Sequence, residues 1–552
     1  MAPVAGEPPI QPIENSDAGI QILPLVTMTN SGAFRFRVNS FFRPDMGVPS
    51  DSTVDPKCAP STSSAAERAK SYLNHRKTVV SANMRLRWEP ALRIAELVTV
   101  KTIVDALDNV VMGQGPSFDP DLPDAPLSVF SRSQRVPSLF TTLRGSVSVK
   151  AAWAELNLFD IVQVAGGRLP EHFGLGIVRS GGRDPDSDYG DYVDGVFGKI
   201  NLGITWLRLG LEFPGEGVTS DGPFGYSTRP YDLDHSDDIY RWVFGVDTTP
   251  SRKAEFDKRA KTLAAGRPVW DWGWYNAITQ QKISSELVVG GDEGAGKQPD
   301  LSSLKYDQYT LVPRGAFFWT PSLWGKVVLR PRAGMTLRVE LEAAMTYGYV
   351  DHVSSASEDS KSRKDFLSFG GALEAQLDWD KNRFKLFAGA ASGGNTLGSW
   401  GILDQHILAA PASGCFNREH PTLYRTRNIH HFVFNRDYRI DSILFREVIG
   451  SVTNAFYFKP SYDRVFYASG DWQVGGGLSL LAAFASIPEG TPGGKRALGV
   501  EAGMDLFVKW NNHVSLKADG AVLFPLAGLD RPDDNVHPQT TGAIRVQAVA
   551  SF

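Results

Sequence analysis

Residues 497–524 read ALGVEAGMDLFVKWNNHVSLKADGAVLF, and residues 541–552 read TGAIRVQAVASF. In the first stretch Leu498, Val500, Ala502, Met504, Leu506, Val508 and Trp510 alternate with Gly499, Glu501, Gly503, Asp505, Phe507 and Lys509. Successive side chains of a strand point to opposite faces, so this spacing gathers the apolar groups on one face and the charges on the other. Asn511-Asn512 supplies a turn. Val514, Leu516, Ala518, Gly520 and Val522 then repeat the pattern against Ser515, Lys517 and Asp519, as Ile544, Val546, Ala548, Ala550 and Phe552 do against Arg545, Gln547 and Ser551. A strand apolar on one side and polar on the other, with an aromatic at its end, suits a wall with lipid outside and water inside.

The pattern extends upstream. Phe34, Phe36 and Val38 oppose Arg35 and Arg37; Val80, Ala82, Met84, Leu86 and Trp88 oppose Asn83, Arg85 and Arg87. Val147, Val149, Ala151 and Trp153 share a face, and so do Tyr240, Trp242, Phe244 and Val246. Leu337 to Tyr349 alternate with Arg338, Glu340 and Glu342, and Leu367 to Trp379 with Glu374, Gln376 and Asp378. Glu89-Pro90 reads as a break before a strand from Leu92 to about Ala106. Residues 197–213 read as one long strand, and WDWGWY at 270–275 belongs to another.

Short turns at 157–160, 331–334, 380–382 and 511–512 alternate with long connections. The expected fold is therefore all-β: a closed antiparallel transmembrane β-barrel of about 18 strands (16–18), with short periplasmic turns and long extracellular loops. Residues 1–31 read as a periplasmic lead-in and 32–552 as the barrel. The loops fall at about 44–77, 106–139, 170–195, 351–364, 394–436, 485–496 and 527–540.

Composition agrees. Mean hydropathy is -0.19 and no run of apolar residues is long enough for a membrane helix, but a barrel dilutes its apolar face with lumen residues. Net charge is -4, which gives no basis for nucleic-acid binding. Met1-Ala-Pro-Val-Ala-Gly has neither the basic start nor the apolar core of a signal peptide; a secreted barrel with this sequence is expected to be a mature or re-engineered form.

The inward phase supplies the candidate lumen residues: Arg35, Arg37, Arg85, Arg87, Arg338, Lys385, Lys509, Lys517 and Arg545, with Glu340, Glu342, Glu374, Asp378, Glu501 and Asp505. They either form charged rings that select solutes or pair across strands and keep the interior wet. Asp184, Asp186, Asp188 and Asp191 alternate as in a calcium loop, but the glycine comes one place late and the twelfth position is Gly195; the alternative is a solvated acidic loop. Cys58 and Cys415 lie in loops on the same expected side, as a disulfide or as two unpaired thiols. Phe552 is the expected assembly signal. No G-x-S-x-G or H-E-x-x-H occurs and the histidines have no carboxylate at a telling spacing, so no enzyme and no cofactor are expected beyond a loop calcium.

Gly166-Gly167-Arg168-Leu169-Pro170, followed by His172-Phe173-Gly174-Leu175-Gly176, resembles outer-membrane porins of the alginate-export type and the exopolysaccharide-export barrels of gliding bacteria. Phe434-Asn435-Arg436-Asp437-Tyr438-Arg439-Ile440-Asp441 has the same character. The resemblance implies a Gram-negative outer membrane and export of a hydrophilic solute or polysaccharide. It also implies as partners outer-membrane lipid, the barrel-assembly machinery, and periplasmic export or envelope proteins. The alginate porins have a strongly basic lumen, whereas the inward positions here mix both signs. The alternative function is a structural or adhesion subunit with a blocked lumen. The 394–436 loop is the expected lid or plug.

Overall fold

The computed structural model describes residues 20–23, 25–44, 46–47, 78–95, 97–111, 147–159, 161–215, 238–250, 253–287, 309–352, 363–394, 428–511, 513–530 and 537–552. Eighteen strands form one closed antiparallel barrel. The first six are β1 (Val26–Phe42), β2 (Thr78–Ile94), β3 (Val98–Val111), β4 (Val147–Leu158), β5 (Val162–Pro170) and β6 (Tyr192–Asn201). The middle six are β7 (Trp206–Gly215), β8 (Ile239–Asp247), β9 (Val269–Gln281), β10 (Ala316–Arg332), β11 (Met335–Val350) and β12 (Lys364–Trp379). The last six are β13 (Asn382–Ala391), β14 (Ala455–Ser469), β15 (Trp472–Ala485), β16 (Ala497–Trp510), β17 (Val514–Pro525) and β18 (Thr541–Ser551).

Each strand pairs with its sequence neighbour, and β1 closes the wall on β18 from Ala33↔Ser551 to Phe42↔Gly542. Phe552 completes the seam. Its backbone exchanges two 3.0 Å hydrogen bonds with Gly32, and its ring covers the place where a Gly32 side chain would stand.

The expected facing holds along most strands. Phe34, Trp88, Trp242, Leu341, Phe369, Leu478, Leu506 and Ile544 are exposed on the outer wall, while Arg35, Arg85, Glu342 and Arg545 are buried inside it. An outward apolar band of this kind is what a lipid-spanning barrel presents. Lys509 and Lys517 share the inward phase, beside Arg383 and Lys385.

Two of the bulges overturn a facing expected from the alternation. Ile103 pairs with Ala151 and Val104 with Val149, so Lys150 is an extra residue. Val147 and Val149 face out, whereas Ala151 and Trp153, expected on the same face, turn inward; Trp153 Nε1 donates to Glu155 at 2.7 Å. Leu498 sits between the pairs Phe484↔Ala497 and Ala483↔Gly499. Expected outside, it is fully buried with Leu444, Leu481 and Leu523.

Other expectations are corrected. The strand runs through Glu89-Pro90: Pro90 faces Asn30 on β1, and its ladder to β3 lapses at that point, where no N–H is needed. The turn comes at Ala95–Leu97 instead. Residues 197–213 are two strands, β6 and β7, that turn around Gly203, whose φ is +90°. β1 begins at Val26, inside the stretch read as a lead-in, and residues 20–23 pair with its start. On the short-turn side, β8 and β9 are joined by a helix, α1 (Lys253–Ala264), tethered by Arg259 to Asp271 and to the Thr248 carbonyl. Cys58 and Cys415 lie outside the described residues.

Candidate functional site

Two segments on the long-loop side fold into the lumen: 171–191, between β5 and β6, and 428–454, between β13 and β14. They fit because the wall inside β11 to β18 is lined there with small side chains. Ala344, Ala372, Ala391, Ala455, Ala483, Ala521 and Ala543 are buried against Phe432, Phe434, Ile443, Leu444 and Phe445, with Ile177 from the first segment. Burying each large apolar side chain contributes about 1.5–3 kcal/mol, which keeps the second segment against the wall. It contains a short π-helical turn, Leu444–Ile449, ended by Gly450 at φ +94°.

Wall carboxylates fasten the segments through their backbones. Glu501 accepts hydrogen bonds from the N–H groups of Ser442 (2.9 Å), Ile443 (3.1 Å) and Leu444 (3.0 Å). Glu342 accepts from Gly176 (3.0 Å) and Ile177 (3.3 Å) and from the Ser322 hydroxyl (3.1 Å). Gly174, at φ +57°, passes so close to the Glu342 carboxylate that a side chain there would collide with it. Glu374 stands beside Tyr438 of the second segment, whose hydroxyl lies 3.2 Å from that of Tyr457 on β14.

The expected calcium aspartates are held by arginines. Asp188 takes Arg35 (3.1 Å), Arg37 (3.1 Å) and Arg439 (2.8 Å). Asp186 takes Arg37 (3.0 Å) and Arg446 (2.6 Å). Asp184 caps its own turn by accepting from Asp186 N–H, and Asp191 accepts from Ser180 N–H and Asn435. Among the described residues no group of three or more His, Cys, Asp or Glu is placed to hold a metal ion, and of the four aspartates Asp186 and Asp188 are neutralised by guanidiniums. Burial would raise the Asp186 carboxyl, but the Arg446 and Arg439 guanidiniums outweigh it and hold it well below the usual carboxylate range; Arg37 and Arg439 do the same for Asp188. Asp441 is opposite: burial, with Glu501 beside it, pushes its carboxyl up.

The other predicted lumen residues line the wall in pairs rather than rings. Arg87 bonds Asp105 twice at 2.8 Å, and Arg85 donates to the Ser187 carbonyl at 2.7 Å. Arg338 and Lys326 meet Glu340 at 2.9 and 3.3 Å, Asp378 meets Arg383 at 2.6 Å, and Lys385 meets Asp463 at 2.5 Å. Lys517 stands 3.9 Å from Asp519, Lys509 lies over the Phe507 ring, and Asp505 faces Lys517 across the lumen wall. The sequence reading gave no lumen role to Asp437, Arg439, Arg446 and Glu447, or to the Arg179–Glu212–Arg241 cluster, where the first segment meets β7 and β8. The available signal was reciprocity: the acidic 184–191 stretch and the basic 436–446 stretch are complementary in charge.

Between the seam and the two segments lies a cavity of about 380 Å³. Arg37, Asn39, Phe41 and Arg545 come from the wall; Asp188 and Tyr189 from the first segment; Arg436, Arg439, Arg446, Glu447 and Gly450 from the second. Five guanidiniums face two carboxylates.

No family model matches this chain, and neither does any curated protein. Solved porins share its outline at low identity. The chain is similar to OccK11 (OpdR) of Pseudomonas aeruginosa, 12% identical with a TM-score of 0.46, over 95% of this chain and 96% of that one. It is similar to OccAB3 of Acinetobacter baumannii, 8% identical with a TM-score of 0.46, over 95% and 99%. A BenF-like porin from Pseudomonas fluorescens Pf-5 is 10% identical with a TM-score of 0.44, over 95% and 98%. None of these three is an alginate-export porin or a polysaccharide exporter by name.

Proposed function

We propose that this chain is an outer-membrane channel through which small anionic solutes diffuse. The observation that carries the reading is the cavity beside the seam, where five arginines outnumber Asp188 and Glu447 in a space the size of a small-molecule site. A recess in which one sign of charge predominates raises the local concentration of the opposite ion. The apolar outer wall supports placement in lipid, and the closed barrel supports a water-filled path. A threaded polysaccharide, the finer expectation, is disfavoured because both inward segments would have to leave their fastenings.

Those same fastenings favour a second reading, a structural envelope subunit whose lumen is closed. Planar-bilayer recording of the full chain separates the two. The channel reading expects steady steps and a zero-current potential, in a salt gradient, of the sign given by anion preference. Electrically silent barrels would support the structural reading, and cation preference would overturn the proposed solute class.

A further inference from the structure

Four of the five cavity arginines are already engaged. Arg37 and Arg446 hold Asp186, Arg439 holds Asp188, and Arg545 donates to Asn39 (2.8 Å) and Glu447 (3.0 Å). The neighbouring wall arginines, Arg35 and Arg85, are buried and spent on the 185–188 turn. Arg436 differs. It is exposed, makes no ion pair among the described residues, and stands over the Tyr189 ring at 5.6 Å.

Its seat is built from both inward segments. Asp437 accepts from the N–H groups of Asp188 (3.1 Å) and Tyr189 (3.0 Å) and from the Ser187 hydroxyl, while its own N–H donates to Asn435 (2.9 Å). The residue next to Arg436 therefore fixes the backbone that carries Tyr189. The aromatic face holds the guanidinium without consuming its N–H donors. An unoccupied planar fork in a cavity is suited to two oxygens of one oxyanion. A guanidinium already bound to carboxylates has part of its charge neutralised and fewer N–H donors left for a passing anion, as Arg37 on both Asp186 and Asp188 shows.

We propose that Arg436, seated on Tyr189, recognises the oxyanion group of the passing solute, a carboxylate or phosphate, and that Arg35, Arg37 and Arg85 are fasteners of the inward segment. This rests on the anion-channel reading and deepens it. The test uses the full chain in planar bilayers, with acetate or inorganic phosphate added to chloride solutions.

Arg436→Gln should lower the anion-to-cation permeability ratio by about tenfold, the lower end of what a charge-lined recess provides. It should also abolish the slowing of chloride current by phosphate and acetate. Arg436→Lys should retain the chloride preference but lose the oxyanion effect, because an ammonium lacks the planar fork. Lys258→Gln removes a charge on α1, at the short-turn end of the barrel away from the cavity, and should change neither. If the wild-type chain conducted with no anion preference, the anionic-solute reading would fail and this proposal with it. A wild-type preference and phosphate effect that both survive in Arg436→Gln would overturn the proposal and leave the channel reading standing. Should Arg436→Gln not assemble, an undiminished phosphate effect in Arg436→Lys overturns it equally.

Discussion

The guanidinium of Arg446 grips the carboxylate of Asp186 at two points, 2.6 and 3.1 Å long, although the residues belong to different inward segments. This contact joins two pieces of chain that are each fastened separately to the wall. Arg446→Met should loosen their coupling by about 1.5–3 kcal/mol, the usual worth of hydrogen bonds to a charged group. The expected sign is increased open-channel noise. A double variant with Asp186→Asn should be noisier than Arg446→Met alone, since it also weakens the contacts that Arg37 and Arg439 make to Asp186.

Glu501 accepts three consecutive backbone N–H groups at the entry to the π-helical turn. Glu501→Gln keeps the shape of the side chain but replaces one acceptor oxygen by a donor that faces those N–H groups. Hydrogen exchange at 442–446 should accelerate by an amount equivalent to about 1.5–3 kcal/mol, with β16 itself unchanged. Equal acceleration along β16 would show that the wall, not the fastening, had failed.

Acid should not release the segments. Asp186 and Asp188 have carboxyls held below the usual range, so their contribution is present above the unfolded value and is lost only when pH falls through the folded one. Asp441 has a raised carboxyl, so its folded form favours the proton and gains, rather than loses, as pH falls from neutral. Tryptic accessibility of the 428–454 segment, corrected for the protease's own pH dependence, should therefore be no higher at about pH 5 than at about pH 7. Cleavage that rises on acidification in this interval would contradict the assigned pairs.

The wall can be tested at adjacent positions. Leu478 is exposed on the outer face of β15, and Ser479 faces inward. Leu478→Arg should cost roughly 2–4 kcal/mol in refolding experiments with lipid vesicles, whereas Ser479→Lys should cost about 1 kcal/mol or less. The reverse order would mean that the two faces are exchanged.

Much of the barrel was legible because each strand writes its facing locally, with period two. The departures are places where that local rule is interrupted by something distant. Lys150 and Leu498 are extra residues whose effect on phase shows only against the partner strand. Pro90 looks like a stop, but its neighbour on β3 asks nothing of it. The site was less legible still. Its inward alanines, such as Ala344 and Ala483, read as weak lumen residues until the aromatic segment that they accommodate is placed beside them. The Asp184–Asp191 stretch suggested a cation because its counter-charges come from β1, β2 and residues 439–446, far away in sequence.

The seam between β1 and β18 also bears on biogenesis. The first long strand to emerge from the ribosome finds its second neighbour only after every other strand has been made. Until then both terminal edges carry unsatisfied amides, the arrangement most prone to sticking to other chains. Closure is thus a late event of high contact order, slow by its topology, and the two open edges stay available for wrong pairing until it happens.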